Sequence, residues 1–121
     1  MYHLVLCSQQ LIELSPLTAI SSIDGRYGSK TAPLRHYFSE YGLIRYRAIV
    51  EIRWLQFICN TSNIPDIPKL SPEALRALDL IISEFGETEA IRVKEIEATI
   101  NHDVKAVEYM LKERLTATST E

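Results

Sequence analysis

From Tyr41 to Cys59 the chain carries apolar residues on two helical faces at once, and no other stretch constrains its fold as much. Tyr41, Ile44, Ala48, Ile52, Leu55 and Cys59 recur at helical spacing. Leu43, Tyr46, Val50, Trp54 and Phe57 form a second set, and Arg45, Arg47, Glu51 and Arg53 cover the remainder. A helix apolar over so much of its girth is usually buried on several sides. It is expected at the centre of a helical domain or against another domain, with Trp54 in a core. The segment opens at Ser39-Glu40 and should end near Asn60, because residues 60–68 are rich in Asn, Pro, Ser and Asp.

The rest of the chain reads as shorter helices. Ser71-Pro72-Glu73 combines a cap, a first-turn proline and a first-turn acid. Leu75, Leu78, Ile81 or Ile82, and Phe85 give that helix its buried side, and Gly86 stops it. Glu87 to Glu97 reads as another helix, although Ile91, Val93 and Ile96 make no clean stripe. Asn101 is placed to cap a last helix from His102 to about Leu115. Its expected stripe is Val104, Val107, Leu111 and Leu115, with Glu108 and Lys112 paired outside. Thr31 is placed to cap a short helix through Pro33, Leu34, Tyr37 and Phe38. Residues 1–22 keep no helical period and read as an irregular arm; 116–121 read as a polar, frayed tail. The fold class is all-α: a small domain of about five helices with an irregular N-terminal arm.

Composition bounds the function. A chain of 121 residues fits one domain. A net charge of −3 argues against a dedicated nucleic-acid binder, which needs a basic patch. An anionic metabolite needs only one or two cations and stays open. Cys7 and Cys59 lie in no ligand spacing and read as reduced thiols. No apolar run reaches membrane-spanning length, and Met1 to Leu11 lacks the features of a signal peptide. A cytoplasmic chain is the default. His3, His36 and His102 are too scattered for a metal site. The carboxylates at 84–89 and 95–97 read as solvated helix faces.

Chemistry has two places to sit. In Asp24-Gly25-Arg26-Tyr27-Gly28 the glycines allow a sharp turn that presents Arg26 and Tyr27 side by side. Arg supplies a planar fork of donors for phosphate or carboxylate. The plain alternative is a surface turn with a solvated arginine. In Asn101-His102-Asp103 a helix start offers free N–H groups that attract anions and holds the imidazole toward its neutral form. The plain alternative is a cap, an acid answering the helix dipole, and a histidine between them.

Several blocks in order make the sequence specific. Residues 12–28, Ile-Glu-Leu-Ser-Pro-Leu-Thr-Ala-Ile-Ser-Ser-Ile-Asp-Gly-Arg-Tyr-Gly, resemble the amino-terminal opening of bacterial adenylosuccinate lyases. Phe38 to Arg47, Val50 to Gln56 and Asn101 to Tyr109 continue the likeness, which runs from about Glu13 to Arg114. The chain is thus identified with the N-terminal domain of that family, within the fumarase/aspartase superfamily.

The resemblance implies a cytosolic enzyme that cleaves adenylosuccinate to AMP and fumarate by β-elimination. It also implies cleavage of succinyl-aminoimidazole carboxamide ribotide in purine biosynthesis, with no cofactor and no metal. It implies substrate contacts by Arg26, Tyr27, Asn101, His102 and Asp103. The family's central helical bundle, which drives homotetramer formation, and its C-terminal domain are expected to be absent here. The family's catalytic serine and general-acid histidine are expected beyond residue 121. No catalytic residue is therefore expected in this chain, which alone should be inactive and a monomer or weak dimer. Thr118-Ser119 is not the family's substrate-binding Thr-Ser pair. The competing expectation is a stand-alone helical interaction or regulatory module derived from the lyase domain.

Overall fold

The computed structural model describes residues 13–61 and 66–118. They are helical, with no strand among the described residues. Two one-turn helices, α1 (Gly28–Thr31) and α2 (Arg35–Phe38), flank a 3-10 turn at Ala32–Leu34. Four longer helices follow: α3 (Glu40–Asn60), α4 (Pro72–Glu84), α5 (Glu87–Ile100) and α6 (Asp103–Thr118). Contacts divide the chain into two units, Met1–Arg35 and His36–Glu121.

In the second unit, α3 starts where Ser39, in extended backbone, accepts the Gly42 N–H at 3.1 Å. Gly42 is required there, because a Cβ would lie 2.8 Å from the Tyr37 carbonyl carbon. Ile44, Ala48, Ile52 and Cys59 are buried, as the first helical stripe implies. The second stripe differs from expectation. Leu43, Tyr46, Val50, Trp54 and Phe57 are between 40% and 63% exposed, so α3 is buried on one side only. Trp54 is not in a core; it stacks on Phe57 with ring centres 5.7 Å apart.

Ser71 caps α4 by accepting the Ala74 N–H at 3.2 Å, with Pro72 in the first turn. Leu78, Ile81 and Phe85 bury its expected side. Gly86 is not a stop for α4 but the N-cap of α5. Its N–H donates to the Glu89 carboxylate at 2.9 Å, the half of a capping box open to a residue without a side chain. Phe85 turns the chain in extended backbone, and the Tyr41 hydroxyl donates to its carbonyl at 3.2 Å.

Ala90, Val93 and Ile96 of α5 meet Ala106, Val107, Met110 and Leu111 of α6 in one core with α3 and α4. The α6 stripe holds at Val107, Leu111 and Leu115 and fails at Val104, which is exposed; Ala106 and Met110, which the stripe leaves out, are fully buried. The helix also continues to Thr118, past the expected end at Leu115. The carboxylate runs are not merely solvated. Arg92 pairs with Glu95 at 2.9 Å while also taking both oxygens of Glu113 of α6, and Arg114 reaches Glu84 at 3.3 Å. Lys94 pairs with Glu40 and Glu97. Cys59 is a buried free thiol; Cys7, His3 and most of the expected arm lie outside the described residues. No helix among the described residues is long and apolar enough to cross a membrane.

Candidate functional site

Arg26 and Tyr27 stand on a tightly wound loop in the first unit. Thr18 ties the entry: its Oγ1 accepts the Ser15 N–H at 2.7 Å and donates to the Glu13 carbonyl at 2.6 Å. Gly25 N–H donates to Ser21 O, and Tyr27 N–H to Ser22 O, both at 2.9 Å. Thr31 does not cap the following turn with its side chain; it ends α1, and its hydroxyl donates back to the Ile23 carbonyl at 2.7 Å.

The glycines serve close approach rather than a left-handed turn, since no described glycine has a positive φ. A Cβ on Gly25 would lie 2.8 Å from the Pro16 carbonyl oxygen and 3.0 Å from the Ala19 Cβ. The loop leaves Arg26 and Tyr27 exposed and in contact, with the guanidinium carbon 5.5 Å from the ring centre. Lys30, one turn on in α1, sits 5.9 Å from the same ring. Two cations against one aromatic ring suit an anion that also offers a flat group. The sequence pattern missed Lys30, although its spacing from Tyr27 is helical.

Asn101, His102 and Asp103 form the corner between α5 and α6. Asn101 does not cap α6. It ends α5 in left-handed backbone, φ 54° and ψ 40°, and its N–H donates to Glu97 O at 2.7 Å. It is the one positive-φ non-glycine among the described residues, and its residue type tolerates that geometry. His102 is the cap instead: its Nδ1 accepts the Lys105 N–H at 3.2 Å. That bond occupies the Nδ1 lone pair, so the neutral ring carries its proton on Nε2 and can donate there. Both Asn101 and His102 are exposed.

Asp103 is the most constrained of the three. One oxygen accepts the Val104 N–H at 2.8 Å, and the other meets Arg47 of α3 at 2.7 Å. The Val104 amide, followed by Arg47, holds the carboxyl below the usual carboxylate range. Arg47 is the supporting residue that sequence spacing could not reveal, because 56 positions separate it from Asp103. The corner thus presents a ring N–H, a side-chain amide and a charge-balanced carboxylate. Arg26 and Tyr27 make one cluster and Asn101 to Asp103 another, in separate units.

No protein-family model matches the chain. Among curated proteins it is 59% identical to the adenylosuccinate lyase of Vibrio cholerae over 106 residues, 88% of this chain. It is 53% identical to that of Haemophilus influenzae and 52% identical to that of Escherichia coli K12, each over 104 residues and 86% of this chain. Over the matched residues, the chain is similar to adenylosuccinate lyases. It spans 23% of the length of each of these three relatives. Both clusters fall within the lyase match, because any 106-residue window of a 121-residue chain contains residues 16–106.

Proposed function

We propose that this chain, residues 1–121, forms the amino-terminal domain of a cytoplasmic, homotetrameric lyase that cleaves adenylosuccinate to AMP and fumarate. The same enzyme would take succinyl-aminoimidazole carboxamide ribotide, which carries the same succinyl and phosphate groups. The reaction is a β-elimination that needs a base, an acid and fixed donors for the developing carboxylate charge. The base and acid come from the rest of the polypeptide. Arg26 and Tyr27 bind an anionic group of the substrate. Asn101 and His102 donate hydrogen bonds, and Asp103, steadied by Arg47, accepts one. The isolated chain does not turn over substrate.

One observation carries this reading: the 59% identity to a lyase over a stretch that includes both clusters. The test is a chimera in which the matching residues of the Vibrio cholerae enzyme are replaced by this chain. His102→Asn is the informative variant, because asparagine is among the best cap residues and keeps an acceptor for the Lys105 N–H. The substitution is expected to preserve thermal stability and, by moving a fixed hydrogen-bond donor, lower kcat/KM by ~100-fold or more. Arg26→Ala is expected mainly to raise KM. A His102→Asn chimera with unchanged kinetics would show that the imidazole serves only as a cap.

A further inference from the structure

The exposed stripe of α3 has a regular spacing. Leu43, Tyr46, Val50, Trp54 and Phe57 follow one another at intervals of three, four, four and three residues. That is the rhythm of a helix seam that packs against another helix, knob into hole. The seam rises about 21 Å along α3 at 1.5 Å per residue. On its flank lies a mainly apolar groove of about 380 Å³, lined by Trp54, Leu55 and Leu111 among others but also by Glu51, Glu108 and Lys112.

The charges at its edges are already answered within the chain: Arg47 by Asp103 and Arg53 by Asp79. The centre of the stripe therefore offers a partner apolar contact and no unmet charge. Side chains of these types at these exposures leave on the order of 500 Å² open. A standard interface between separate proteins buries about 800 Å² per partner. The stripe is too small to hold a second copy on its own. It is large enough for a helix of the same polypeptide, where the effective concentration is high. The three relatives above are each more than four times as long as the stretch this chain spans.

We infer that the α3 stripe is the docking seam for an apolar helix in the part of the lyase polypeptide that this chain does not span. The inference rests on the proposed family function, and its test separates the two. Val50→Lys with Phe57→Lys is made in the isolated chain and in the Vibrio cholerae chimera. In the isolated chain both positions are exposed, so the thermal midpoint should move by about 2 °C or less. In the chimera the midpoint should fall by roughly 5 °C or more, because two charges then enter a buried seam.

A chimera as stable with the lysines as without them overturns the inference. So does an equal loss in the isolated chain, which would mean that the stripe packs within it. An isolated chain that sediments as a dimer, dissolved by the same substitutions, assigns the seam to a second copy instead. Fumarate release by the unsubstituted chimera reports separately on the family function. If it is absent while the midpoints behave as expected, the seam stands and the functional reading falls.

Discussion

Asn101 offers the sharpest test of how the α5–α6 corner is built. Its backbone, at φ 54° and ψ 40°, is the one left-handed non-glycine conformation among the described residues. An alanine there keeps a Cβ and loses the polar side chain that makes this region tolerable. Left-handed backbone costs a typical L-residue about 1–2 kcal/mol, and asparagine escapes part of that. Asn101→Ala should therefore lower stability by about 1 kcal/mol, or ~4 °C in thermal midpoint for a chain of this size. Asn101→Gly should lie within a few tenths of a kcal/mol of the parent, because glycine adopts this geometry without steric penalty. The assay is urea unfolding followed by helical circular dichroism, comparing midpoints at a constant slope. Equal stability of the Ala and Gly variants would refute the claim that left-handed geometry selects this residue. In the lyase chimera both variants remove the amide, so both should lose activity alike although their stabilities differ.

Three further outcomes are expected. Gly42→Ala should destabilise despite alanine's better helix propensity, because its Cβ would meet the Tyr37 carbonyl group at 2.8 Å; thermal melting checks this. Ile52→Ala, at a fully buried contact in the shared core, should cost about 2–4 kcal/mol by urea unfolding. Acid should weaken the fold through its ion-paired carboxylates. Lys105 and Lys112 hold Glu108 down to about 2, from an ordinary value near 4.5. A depressed folded value adds stability that is complete above pH ~4.5 and disappears as pH falls through about 2. Asp103 and Glu113 shift in the same direction. Stability measured from pH 5 to pH 2 should decline steadily, and a flat profile would contradict these pairings.

The sequence was most legible where a local rule acted alone. Ser39 and Ser71 each cap the helix they precede, since a serine oxygen and a nearby amide need no distant partner. It was least legible at the α5–α6 corner. Only Asn101 and His102 separate α5 from α6, so each must serve a different helix. Asparagine suits both an N-cap and a left-handed C-cap, and the pattern could not choose between them. The α6 stripe is legible at Val107, Leu111 and Leu115 but only in part. Val104 is left exposed while the packing turns Ala106 and Met110 inward, which only the neighbouring helices decide. Trp54 reads as a core residue, but its face of α3 has no cover within the described residues. The Arg47–Asp103 pair joins positions far apart in sequence and leaves no local signal.

The role proposed for this chain is that of the amino-terminal domain of an adenylosuccinate lyase. The most direct measurement is fumarate release from adenylosuccinate by the Vibrio cholerae enzyme in which this chain replaces the matching residues. Turnover within about tenfold of the parent enzyme is expected, since 59% of the matched positions are already identical and both clusters are retained. A chimera that folds and assembles like the parent but releases no fumarate would contradict the assignment.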